Sequence, residues 1–166
     1  DRATAWAQEK FKQLGYDKVW LQPVTFPVWQ RRAESGRVIS PYPQPLALTA
    51  LGGSTGTGGP LVAEVVEFAS LDALKAAADG SLNGKIAFVN QKMVRAKDGS
   101  GYGPVSTLRR TGASEAASKG AVAFVIRSVG TDSDRLPHTG MMRYEDGIAK
   151  IPAAALSVPD ADLLAN

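Results

Sequence analysis

The most constraining feature of the chain is a run of small residues at helical spacing that passes, through one glycine, into an unbroken apolar segment. Gly112, Ala113, Ala116 and Ala117 share one side of a helical projection, so a helix here can lie with its backbone close to a sheet. Gly120 can take the left-handed conformation that ends such a helix. Ala121 to Ile126 then reads as a buried strand, short, apolar and partly β-branched. A second apolar run, Ala153 to Val158, is expected beside it in the sheet. The polar loop between them, Val129 to Lys150, holds His138, the chain's only histidine.

The remainder extends this pattern into a mixed α/β domain with short helices on a sheet. Asp1 to Leu14 is an amphipathic helix with Ala3, Trp6, Ala7, Phe11 and Leu14 on one face and Gly15 beyond its end. Val19 to Gln30 is extended, and Pro23 and Pro27 restrict it to an edge. Strands are expected over Arg37–Ile39, Leu46–Leu51, Leu61–Phe68 and Lys85–Val89. A helix over Leu71–Asp79 begins at the cap Ser70 and ends at Gly80. Pro104 suits the first turn of the small-faced helix. The first helix and extended stretch are expected to pack on something other than this sheet, and the chain reads as a piece of a longer protein.

Composition narrows the functions. The net charge of +3 is scattered, and no Lys/Arg stripe interleaves with aromatics, so nucleic-acid binding is disfavoured. No apolar run reaches membrane-spanning length. Without cysteine there are no disulfides, thiolate metal sites or cysteine nucleophiles. One histidine is too few for a zinc hydrolase site, so the chain itself is expected to hold no metal and no cofactor. Asp132 and Asp134 lack the glycine and distal glutamate of a calcium loop. Gly99, Gly101 and Gly103, with Arg95 or Lys97 nearby, precede a helix as an anion site would, but a surface loop explains them as well. Gly52-Gly53-Ser54-Thr55-Gly56 matches the nucleophile-elbow pattern literally, and Ser54 with His138 would make a small serine hydrolase. Its context is wrong, because Thr57-Gly58-Gly59-Pro60 and a strand follow where a helix should.

The ordered set of motifs resembles the protease-associated (PA) domain of di-zinc exopeptidases of the carboxypeptidase Q type. It comprises Pro27-Val28-Trp29, the Leu51–Thr57 loop, Ala63-Glu64-Val65 and Gly84-Lys85-Ile86. It continues through Arg109, Gly112-Ala113, Glu115-Ala116-Ala117, Gly120-Ala121 and Ile126-Arg127-Ser128-Val129. Pro137-His138-Thr139-Gly140, Tyr144, Asp146-Gly147, Lys150-Ile151-Pro152 and Asp160-Ala161 complete it. The Ala96–Gly103 loop departs from the pattern by its length.

The resemblance implies a mixed sheet or open barrel flanked by short helices, spanning Ala33–Val158. Asp1–Arg32 would be the first helix and strand of a catalytic domain, and Pro159–Asn166 the return to it. It also implies two zinc ions and the catalytic residues elsewhere in the parent chain, and a periplasmic or extracellular home. The chain's partners would be the catalytic domain and a peptide substrate. His138, Thr139, Gly140, Arg143 and Tyr144 are the expected contact residues, because they lie in a long loop and carry groups that bond a peptide or its carboxylate. The expected role is non-catalytic, covering or shaping the active site. A stand-alone peptide-, protein- or glycan-binding module is the alternative of another class, ahead of the serine hydrolase.

Overall fold

The computed structural model describes residues 1–166. In chain order its elements are α1 (Arg2–Gln13), β1 (Gly36–Val38), β2 (Gln44–Leu46), β3 (Leu48–Ala50), β4 (Val65–Phe68) and α2 (Leu71–Lys75). They continue as β5 (Ile86–Val89), α3 (Tyr102–Ser118), β6 (Ala123–Arg127), β7 (Ala153–Leu156) and α4 (Val158–Ala165). The main sheet has the order β3-β7-β6-β5-β4. Strands β4 to β7 run parallel, and β3 lies antiparallel on β7 with Leu48 opposite Leu156. β1 and β2 form a separate antiparallel pair. The two apolar runs of the sequence are neighbours, as expected, with Phe124 opposite Ala153, but the second strand ends at Leu156, because Ser157 caps α4 and Val158 begins it.

Alternation along the buried strands divides the core in two. Ala87, Val89, Phe124, Ile126, Ala153 and Ala155 point to the face covered by α2 and α3. Phe88 and Leu156 point to the other face and pack with Ala161 of α4. Parallel strands buried on both faces must be apolar at successive positions, which is why these segments show no polar alternation.

α3 lies close because its contact face is small. A Cβ at Gly112 would collide with the Phe124 ring, and Ala113 and Ala116 are fully buried beside it. Gly120 has φ +94° and turns the chain into β6 where a side chain would strike Asn83. Ser70 and Ser157 cap α2 and α4 by accepting from the N–H groups of Ala73 and Asp160.

Four expected elements differ from the sequence reading. The expected strand Leu46–Leu51 is two strands in two sheets. They part at Ala47, whose N–H donates to the Asp160 carboxylate at 2.7 Å. Asp160 is buried, also accepts from the Ser157 hydroxyl, and pairs with Arg135 at 3.0 Å. The strand expected from Leu61 starts only at Val65, because pairing with β5 opens at the Ile86 N–H to Glu64 carbonyl bond. The helix expected to Asp79 stops at Lys75 and continues as turns to Gly80. Finally, Val19–Gln30 joins no β-ladder.

α1 forms as expected and buries nothing. Trp6, Phe11, Leu14, Trp20, Leu21, Val24, Phe26 and Val28 are all exposed.

Candidate functional site

The expected contact residues lie on a segment that leaves β6, runs outward, and is tied back at successive points. Ser128 follows β6 and is buried; its hydroxyl donates to the Leu156 carbonyl at 2.6 Å and accepts from the His138 N–H at 2.8 Å. The segment then reaches the loop after β3. Gly52 N–H donates to the Gly140 carbonyl, Met142 N–H donates to the Gly52 carbonyl, each at 2.8 Å, and Met142 enters the core. Next it crosses α3, where the N–H groups of Arg143 and Glu145 donate to the Arg110 carbonyl and the Ser114 hydroxyl. The long loop is therefore a strap held by its own contacts.

These ties sort the five residues. His138 and Arg143 keep their side chains exposed, and Thr139 and Gly140 are half-buried between them and the strap's backbone bonds. Tyr144 is different. Its hydroxyl donates to the Ile151 carbonyl at 2.6 Å and accepts from the Thr55 N–H at 2.9 Å, so the oxygen expected to meet a peptide fastens two loops instead.

The strap is continuous with the end of the N-terminal arm. The Trp29 indole donates to the Ser54 carbonyl at 2.9 Å, and the Arg31 guanidinium, stacked over Trp29, donates to the Ala50 carbonyl. Arg31 also reaches the Thr139 hydroxyl at 3.5 Å, and Glu34 accepts from the Ala50 N–H at 2.7 Å. Two side chains thus satisfy the N–H and carbonyl of Ala50 on edge strand β3.

The serine-hydrolase arrangement is not assembled. The Ser54 hydroxyl donates to the Thr55 carbonyl and accepts from the Ala153 N–H, and no hydrogen bond joins it to His138. Nor do three or more His, Asp or Glu side chains converge, so the donor set of a zinc centre is not built by these residues.

Elsewhere, a cleft of about 250 Å³ opens at the carboxyl ends of β5 and β6, lined by Lys92, Met93, Arg95, Arg127, Asp132 and Val158 among others. Arg127 is buried there and donates to both carboxylate oxygens of Asp162, at 2.7 and 3.1 Å. Those bonds hold the Asp162 carboxyl below the usual aspartate range, against the opposing effect of burial and with help from the charges of Arg127 and Lys92. None of the five expected residues lines this cleft.

Sequence reasoning did not count Arg109 among the contact residues, although it is one of the motif residues that carry the resemblance. It projects from α3 beneath the strap, is about nine-tenths buried, and donates from Nη2 to the Tyr102 hydroxyl at 3.0 Å. Its place three residues before Gly112, beside core Leu108, was the available signal.

Comparison with known proteins gives these features a context. The family described as PA domain matches residues 57–164. Human carboxypeptidase Q is 38% identical over 159 residues, which is 95% of this chain and 32% of that protein. The Xenopus laevis protein of the same name is 38% identical over 165 residues, 99% of this chain and 34% of its own. The chain thus spans about a third of the length of the curated relatives it matches. Among solved structures, the peptidase M28 precursor of Shewanella amazonensis superposes with a TM-score of 0.87 at 53% identity, covering 98% of this chain and 37% of its own. An aminopeptidase from Aneurinibacillus sp. strain AM-1 shares the fold at a TM-score of 0.58 and 19% identity, over 99% of this chain and 34% of its own. No helix here is long and apolar enough to cross a membrane.

Proposed function

The chain belongs to the PA-domain family, and from that premise we propose that it is the non-catalytic module of an exported, zinc-dependent exopeptidase. The observation that carries this reading is the extent of the likeness. At 53% identity it covers 98% of the chain, so it takes in the arm as well as the sheet, yet accounts for only 37% of an M28 peptidase precursor. In this reading Asp1–Arg32 packs on the catalytic domain of the same parent chain, Ala33–Val158 is the PA domain, and Pro159–Asn166 leads back. Support comes from the exposed stripe of α1 and the unpaired Val19–Gln30 stretch, which together present apolar surface that a monomeric domain does not ordinarily leave in water.

The two zinc ions of the parent supply the hydrolytic chemistry from residues outside this chain. What this chain contributes is position. The strap carries His138, Thr139, Gly140 and Arg143 on a face braced by Ser128, Gly52 and Tyr144, so the exposed groups are fixed without touching the reacting bond. Peptide is the expected ligand of that face, and a periplasmic or extracellular site the expected location.

The test is kinetic. His138→Ala and Arg143→Ala in the full-length protein, with zinc content measured, are expected to raise KM or lower kcat/KM while both metals stay bound. Unaltered kinetics in both variants would reduce the strap to a structural connection.

A further inference from the structure

We infer that Arg109 and Tyr102 form a preorganised carboxylate-binding point under the Gly140 turn of the strap, a role that rests on the reading of this chain as a peptidase module. Arg109 is about nine-tenths buried, its Nε has no hydrogen-bond partner, and it takes part in none of the ion pairs of the chain. A buried lysine relieves such a position by losing its proton, but a guanidinium remains charged at any pH a folded protein meets. An unpaired buried cation is unfavourable, and an anion placed with good hydrogen-bond geometry offsets that cost.

The strap closes one side of the guanidinium, so an anion would approach from the Tyr102 side. Gly140 closes over the guanidinium so tightly that a Cβ there would lie 2.6 Å from Arg109 Cζ and 2.8 Å from Nε and Nη1. The absence of a side chain at residue 140 is therefore what leaves the guanidinium its place. Tyr102 is exposed at its outer edge, and its ring lies 5.7 Å from Arg109 Cζ. Because the Tyr102 oxygen accepts from Nη2, its own proton is directed elsewhere and is free for a ligand. The planar fork of arginine beside a phenol donor suits the two oxygens of a carboxylate. The neighbouring Arg110 and Arg143 also lack acidic partners, so the local field favours an anion.

Two sources supply that chemistry: the terminal carboxylate of a peptide, or an Asp or Glu side chain of the remaining parent chain. The experiment uses full-length protein, and its readouts need no turnover, so it decides this point even where peptidase activity is absent. N-acetyl-alanine and N-acetyl-alaninamide are titrated calorimetrically into wild type, Arg109→Met, Arg109→Lys and Tyr102→Phe. A peptide carboxylate predicts that the acid binds wild type at least tenfold tighter than the amide. That preference disappears in Arg109→Met, survives partly in Arg109→Lys and falls severalfold in Tyr102→Phe. An internal carboxylate predicts no such preference. Instead, the gap in unfolding midpoint between wild type and Arg109→Met narrows as pH falls from 7 through about 4, where the partner is protonated. If Arg109→Met does not fold, Tyr102→Phe decides by the same two readouts. An acid-to-amide ratio independent of Arg109 and Tyr102, together with a pH-independent midpoint gap, overturns the inference and leaves Arg109 a packing cation.

Discussion

Trp6, Phe11, Trp20, Val24 and Phe26 lie in solvent at one end of this chain, whereas Leu108, Phe88, Phe124 and Ile126 are sealed inside the sheet domain that follows. Both regions carry the periodicity of an element with one apolar face. α1 presents large side chains at helical spacing and buries none. α3 presents glycine and alanine at the same spacing and is pressed onto Phe124. Periodicity therefore specifies which element forms and which side is apolar. What covers that side is decided by whether a matching surface exists in the same chain. For α3 it does, and for the arm it lies in the proposed catalytic domain.

The contrast is most directly broken at Gly112. Gly112→Leu is expected to cost about 1–3 kcal/mol by overpacking against Phe124, read as a lowered urea midpoint. An unchanged midpoint would mean that α3 is no more closely packed than α1.

A smaller effect is expected at the rim of the core. Arg127 is buried and Asp162 half-exposed, so Asp162→Asn is expected to cost about 1 kcal/mol at pH 7 once solvent screening is allowed for. The Asp162 carboxyl titrates below its unfolded value because Arg127 bonds its charged form. Its contribution is therefore complete above about pH 4 and is lost as pH falls through the lower folded value. Thermal unfolding of both proteins across pH 2–7 checks this, and a gap that persists at the acid end would refute the ion pair as its cause.

The smallest effect belongs to the arm. Trp20→Gln in the 166-residue chain alone should change stability by no more than about 0.5 kcal/mol, since the side chain is exposed. A loss well above that would place Trp20 in a contact within this chain and remove the contrast.

Features set by neighbours in sequence were legible. The cap at Ser70, the stop at Gly120 and the adjacency of β6 and β7 follow from short-range chemistry and an apolar run length. Features set by distant partners were not. The Pro41–Pro45 stretch read as a break, yet Gln44 and Pro45 pair with Val38 and Arg37, since an edge strand tolerates proline. The break at Ala47 needs a carboxylate far along the chain. The site divided in the same way. His138 to Arg143 stood out because a long polar loop with one histidine is conspicuous, whereas Arg109 looked like an ordinary surface cation. Tyr144 was an expected contact because its side chain can bond a peptide, and only the folded backbone shows that Thr55 and Ile151 engage its hydroxyl.

The Asp160 carboxylate also bears on the order of folding. It gathers Ala47, Arg135 and the start of α4, and its bond to Ala47 spans 113 positions of sequence. Closing so long a loop is entropically unfavourable until the intervening sheet has brought the ends together. The junction is therefore expected to form late, after the rate-limiting step rather than before it. Its stabilisation acts as a latch on the finished fold, so Asp160→Ala is expected to accelerate unfolding in a stopped-flow chevron while leaving the refolding limb nearly in place. A carboxylate in this position governs how long the domain stays folded, with little influence on how quickly it folds.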